Sequence, residues 1–89
     1  MTEKTFAEFV NDLRRIVIKT AKNYVYDEKT IDVDGYKMDL IDKIAERCAA
    51  EKTENETDVL CIAVAAKREL DAAVKAMSDL NNLIKEGKA

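Results

Sequence analysis

Val59-Leu60-Cys61-Ile62-Ala63-Val64-Ala65-Ala66-Lys67-Arg68-Glu69-Leu70-Asp71-Ala72-Ala73-Val74-Lys75-Ala76-Met77-Ser78-Asp79-Leu80-Asn81-Asn82-Leu83-Ile84 is the stretch that decides the fold. Within it Val59, Ala63, Ala66, Leu70, Ala73, Met77, Leu80 and Ile84 alternate steps of four and three without a break. That spacing keeps one stripe of a helix facing a partner helix. The pattern predicts a helix over about residues 58–86, roughly 45 Å long at about 1.5 Å per residue. A compact domain of this length has a radius of gyration near 12 Å. The expectation is that the helix outruns its own globule and presents the seam Val59–Ile84 to a partner chain as an oligomer interface. The beginning of the helix, Cys61-Ile62-Ala63-Val64-Ala65-Ala66, is apolar on every face, and such a helix is covered on every face.

Working outward, Lys52-Thr53-Glu54-Asn55 reads as a tight connection, with Thr53 and Asn55 both able to cap the last helix. Gly87 reads as its stop. Before the connection, a second helix is predicted over about 36–50, capped by Asp34, with Leu40, Ile41, Ile44, Ala45 and Cys48 on its buried stripe. The second and third helices then form an antiparallel hairpin. Thr5-Phe6-Ala7-Glu8 has the form of a capping box and opens a first helix over about 5–24. Its apolar face is Phe6, Phe9, Val10, Leu13, Ile16, Val17, Ala21 and Tyr24. Residues 25–35 contain β-branched Val25, Ile31 and Val33 and the turn residues Asp32-Val33-Asp34-Gly35. They read as a loop or short extended segment, longer than the usual connection of about 4 to 6 residues. The fold class is therefore all-α: one domain of three helices, the last one long, with self-association expected.

The totals agree. Of 89 residues, 47% are apolar and 37% charged, with no proline and two glycines. This suits helices with solvated faces and argues against disorder. The formal net charge is −3 with both signs interleaved, so binding to duplex nucleic acid is disfavoured. No apolar run reaches the length of a membrane span, and the first residues lack the apolar core of a secretory signal. The expected setting is the cytoplasm of a bacterial cell or of a phage-infected host cell. Cys48 and Cys61 read as two buried thiols in a reducing compartment rather than a disulfide.

Chemistry is mostly absent. There is no histidine, so the commonest acid–base group and metal ligand is missing. No glycine-rich phosphate loop exists, and a cysteine nucleophile needs a base or cation in a partly exposed pocket, whereas Cys48 and Cys61 look buried. The run Thr30-x-Asp32-x-Asp34-Gly35 resembles a calcium loop, but its twelfth position is Ile41 where a bidentate glutamate is needed. No enzyme activity, metal or cofactor is expected. One polar constellation stands out. Arg15, Lys19 and Lys22 recur at i, i+4 and i+7 on the first helix, with Arg14 beside them. Tyr24, Tyr26, Tyr36 and Lys37 flank the loop that follows. Cations meet phosphates and rings stack on bases, so these residues form a candidate site for an anionic, planar ligand.

The last helix, with Ile62-Ala63-Val64 and Glu69-Leu70-Asp71-Ala72-Ala73-Val74-Lys75-Ala76-Met77, resembles the C-terminal helix of small phage proteins that sequester cyclic dinucleotides. The likeness covers about a quarter of the chain. It implies a hexamer that holds a signalling nucleotide between subunits and so blocks a host antiphage defence. That family places a tyrosine for stacking and a lysine for phosphate in its N-terminal half. Here no tyrosine precedes Tyr24, so those pocket residues have no counterparts. The function expected is a non-enzymatic binding or inhibitor protein that sequesters an anionic nucleotide signal. The alternative is a protein–protein inhibitor, immunity or assembly module that docks through the seam of the last helix.

Overall fold

A computed structural model describes residues 1–25 and 30–88, except the side chain of residue 88. Three helices carry the chain: α1 Glu3–Ala21, α2 Val33–Ala49 and α3 Glu56–Lys88. They lie side by side as an up-down-up bundle. α1 runs with α3: Phe6 sits beside Asp58 and Cys61, and Arg14 Nε donates to Glu69 Oε1 at 3.1 Å. α2 runs against α3. At one end the Ile31 amide donates to Asn81 Oδ1 at 2.8 Å; at the other, Cys48 and Ala49 lie near Val59 and Ile62. The antiparallel α2–α3 hairpin is thus present.

The bundle measures 51 × 19 × 16 Å with a radius of gyration of 14.9 Å. That corrects the premise of a near-spherical globule: α1 and α2 follow α3 along most of its length. The helix still outlasts its companions beyond Asn81, the point where the α1–α2 connection is tied to it.

Helix ends differ from those expected by one to three residues, and the caps say why the starts do. α1 starts at Glu3 rather than Thr5, because Thr2 is the cap. Its hydroxyl accepts from the Thr5 amide at 3.1 Å, while the Thr5 hydroxyl donates to the Thr2 carbonyl at 3.0 Å. α2 starts at Val33 and is capped by Asp32, not Asp34; the Asp32 carboxylate accepts from the Gly35 amide at 2.9 Å. A Cβ at Gly35 would push that carboxylate out of its capping position. Val33, Asp34 and Gly35 are therefore helical, and the expected loop over 25–35 ends earlier. Between α2 and α3, Lys52 takes the left-handed conformation with φ 49°. Asn55 wins the α3 cap, accepting from the Asp58 amide at 3.1 Å. Gly87 lies within α3 and does not stop it.

The core is one cluster: Phe9 and Leu13 of α1, Ile31 just before α2, Tyr36, Leu40 and Ile44 of α2, and Ile62, Ala65, Ala73 and Met77 of α3. The expected α1 face packs as read, with Phe6, Val10, Ile16, Val17, Ala21 and Tyr24 against this cluster. The α2 stripe keeps Leu40, Ile44 and Cys48 of the expected set. It begins with Val33 and Tyr36, and Ala45 is exposed. No helix among the described residues is long and apolar enough to cross a membrane.

Candidate functional site

Neighbouring helices separate the sequence-predicted site residues. Arg15 and Lys19 face the cleft between α1 and α2. Lys22 faces the other cleft, between α1 and α3, whose walls are otherwise almost wholly apolar: Val17, Ile18, Ala21, Val25, Ala76, Met77 and Leu80 among them. Lys19 and Lys22 are only about 60° apart around α1, and the two clefts adjoin across an exposed ridge of that helix, with Ile18 lining both.

The tyrosines serve the fold. Tyr36 is 1% exposed and its phenol reaches the Val17 carbonyl at 3.5 Å, so it is no platform for a planar ligand. Tyr24 is half-buried, meets Tyr36 edge-to-face at 5.7 Å, and donates to the Gly35 carbonyl at 3.2 Å and Asp39 Oδ2 at 3.4 Å. Burial pushes both phenols above their ordinary value, and for Tyr24 the Asp39 carboxylate adds to the effect. Lys37 is exposed on α2, and Tyr26 lies outside the described residues.

The α1–α2 cleft is the built polar site. An open groove of about 440 Å³ along it is lined by Ile16, Lys19, Thr20 and Asn23 on the α1 side and by Lys43, Glu46, Arg47 and Ala50 on the α2 side. Such a volume lies in the range of small-ligand sites, about 300–1,000 Å³. Most of its cations already have partners. Lys43 Nζ is 3.3 Å from Asp39. Arg47 bridges Asp12 at 3.0 Å and Glu51 at 2.6 Å and lies 5.0 Å from the centre of the Phe9 ring. Partial burial would lower its guanidinium, but Glu51 and Asp12 outweigh that and hold it above its ordinary value. Arg15 leans on Asp12 at 3.5 Å. Lys19 has no ion pair among the described residues.

Thr20 is the feature missed by the sequence reading. It is 1% exposed, and its hydroxyl has no hydrogen-bond partner among the described residues. A threonine inside a helix usually returns its hydroxyl to the carbonyl one turn back. A buried hydroxyl left unpaired costs about 1–3 kcal/mol. The signal was available in principle, since Thr20 falls on the apolar face between Val17 and Tyr24. Lys43 and Arg47 carried no such signal, because they come from another helix.

The α3 seam is divided. Ala73 and Met77 are buried, and Ala66, Leu70, Leu80 and Ile84 pack against the core, so these six face the chain's own α1 and α2. Val59 and Ala63 are exposed. At the helix start the buried positions are instead Ile62 and Ala65. Val59, Leu60, Ala63 and Val64 together form an apolar surface on the first two turns, with Leu60 65% exposed. The cysteines also part ways. Cys48 is half-buried, and burial raises its thiol although Arg47 pulls it down. Cys61 is exposed beside the first turn of α1, which corrects the expectation of two buried thiols. Among the described residues, no three His, Cys, Asp or Glu side chains are placed to hold a metal ion.

Compared with protein-family models, with curated proteins and with solved structures, the chain matches none of them.

Proposed function

We propose that this chain is a non-catalytic helical binding module that works as an assembly of its own copies, joined through the first turns of α3. The observation that carries this is the uncovered apolar surface of Val59, Leu60, Ala63 and Val64, four neighbours on two turns of one helix, whereas Ile18, Val25, Met38 and Leu83 are exposed elsewhere on the bundle. The area balance supports it. The single chain exposes 6403 Å², whereas a compact monomer of its mass exposes about 5,200 Å². The excess of roughly 1,200 Å² is spread over an elongated bundle of 51 × 19 × 16 Å and leaves room for the ~800 Å² that each partner buries in a standard stable interface. A second copy is the occupant that fits. Homodimer interfaces are more apolar than the general surface, and the net charge of only −3 leaves little repulsion between copies.

The test is a double variant, Leu60→Asp with Val64→Asp. Both side chains point away from the chain's own core, so the circular dichroism and melting curve should stay close to the parent's while the assembly dissociates. If the variant sediments as the parent does, the first turns of α3 are not the interface. Leu70→Asp is the poorer probe, because Leu70 packs within the bundle.

A second reading, an anionic ligand withheld by the module, has its own support in the α1–α2 cleft and in the α3 resemblance to nucleotide-sequestering proteins. It needs the cleft and not the α3 surface, so the two readings are separable. On either reading the protein acts by holding something. The chain has no histidine, and burial keeps Cys48 from ionising readily.

A further inference from the structure

We propose that copies of this chain assemble head to tail: the apolar start of α3 in one copy seats in the α1–α3 groove of the next. This rests on the self-association proposed above and adds its geometry and its second surface.

The groove is an apolar surface toward the other end of the bundle. It is open, with a volume of about 390 Å³. Ile18, Val25 and Ala76 are exposed along it, and Met77 is buried beneath them. Leu83 is 64% exposed and stands one heptad beyond Ala76, so it continues the same line of α3. Lys22 is the one charged residue of the lining.

Helix geometry puts the two surfaces on different sides of the molecule. Leu60 and Ala76 are sixteen residues apart, and so are Val64 and Leu80. Sixteen residues turn a helix roughly 160° and advance it about 24 Å. A two-fold pair joined start to start buries the same patch on both copies. It would leave the groove of each copy uncovered. A heterologous contact uses both surfaces of every copy and ends in a closed ring where the rotation allows. Charge favours it too. Glu56 is exposed one turn before Leu60, and Lys22 is exposed in the groove. Neither has an ion pair among the described residues. A docked α3 start therefore brings a carboxylate to a groove whose single charge is an ammonium.

The experiment uses two variants of the full chain, each with one surface disabled: Leu60→Asp with Val64→Asp, and Ile18→Asp with Ala76→Asp. All four positions are exposed. Sedimentation velocity is run on each variant alone and on an equimolar mixture, with melting curves as a check of fold. Head-to-tail assembly predicts a monomer for each variant alone and a 1:1 dimer, nothing larger, for the mixture. The first variant keeps its groove and the second keeps its α3 start, so together they make one contact. Formation of that dimer also shows that both are folded. If the groove variant alone assembles as the parent does, the contact is start to start; the head-to-tail proposal fails and the α3 interface stands. If the α3-start variant assembles as the parent does, the α3 interface fails and this proposal with it. A mixture of folded variants that stays monomeric overturns the head-to-tail contact. A monomeric parent does so as well, and leaves the groove to a different partner. The charge pair tests the contact without touching an apolar residue. Lys22→Glu should weaken assembly about five-fold, and adding Glu56→Lys should restore it. A double variant as weak as the single one would count against the docking.

Discussion

The two halves of α3 share one sequence rhythm and meet opposite fates. From Ala73 to Ile84 the apolar stripe turns to the chain's own core, with Ala73 and Met77 buried and Leu80 and Ile84 partly buried against it. From Val59 to Val64 apolar residues occur on every face, and the bundle takes only Ile62 while Val59, Leu60, Ala63 and Val64 stay outside. A repeat of threes and fours says that a helix has a contact stripe. It does not say whether the contact is with the same chain or another. What separates the halves is the amount of neighbouring helix: two helices can cover one side of a third, and an all-round apolar segment needs more.

The sharpest way to break this contrast is a matched pair of truncations. Met77→Ala removes a buried side chain from the inner half and should cost about 2–5 kcal/mol by urea unfolding. Leu60→Ala in the outer half should leave the folded protomer's stability within about 0.5 kcal/mol when measured at dilution, where assembly makes no contribution. Equal losses at both sites would erase the distinction. A smaller effect tests the frame that holds the inner half in register. Asp32→Ala deletes the α2 cap and should cost about 1 kcal/mol. If stability is unchanged, the Asp32–Gly35 contact does not organise the start of α2.

The mildest prediction concerns pH. Tyr36 and Tyr24 titrate above the ordinary value of 10.0 in the folded chain. The folded state then holds these protons more tightly than the unfolded state does. Their contribution is fully present below pH 10.0 and is lost as pH rises through the ordinary and then the folded value. Unfolding free energy should therefore be level with respect to these groups near neutrality and decline in alkali. Tyr36→Phe should flatten that decline. A decline of the same slope in the variant would remove Tyr36 from the account.

Much of the fold was legible because helix periodicity is a local property. The stripes of α1 and the later part of α3 follow from spacing alone; caps were misplaced where two suitable residues lay close together, Thr2 and Thr5 and then Asp32 and Asp34, and for α3 spacing left Thr53 and Asn55 both open, of which Asn55 caps. Less of the site was legible, since it depends on which helix lies beside which. Lys19 and Lys22 belong to one run of cations in the sequence, yet they line different clefts. Lys43 and Arg47 join Lys19 only through packing. Tyr36 read as a rim residue because it sits near turn-forming residues; once Asp32 starts the helix, Tyr36 falls on the buried stripe. At the start of α3 the seam was read through Val59 and Ala63, whereas the core takes Ile62 and Ala65. Where every face is apolar, spacing cannot choose among them.

Sedimentation velocity of the unmodified chain over a wide concentration range tests the central claim most directly. Self-association through the α3 surface predicts a sedimentation coefficient that rises with concentration to a closed oligomer, and a monomer throughout for the Leu60→Asp, Val64→Asp variant. A parent chain that remains monomeric at every concentration would contradict it.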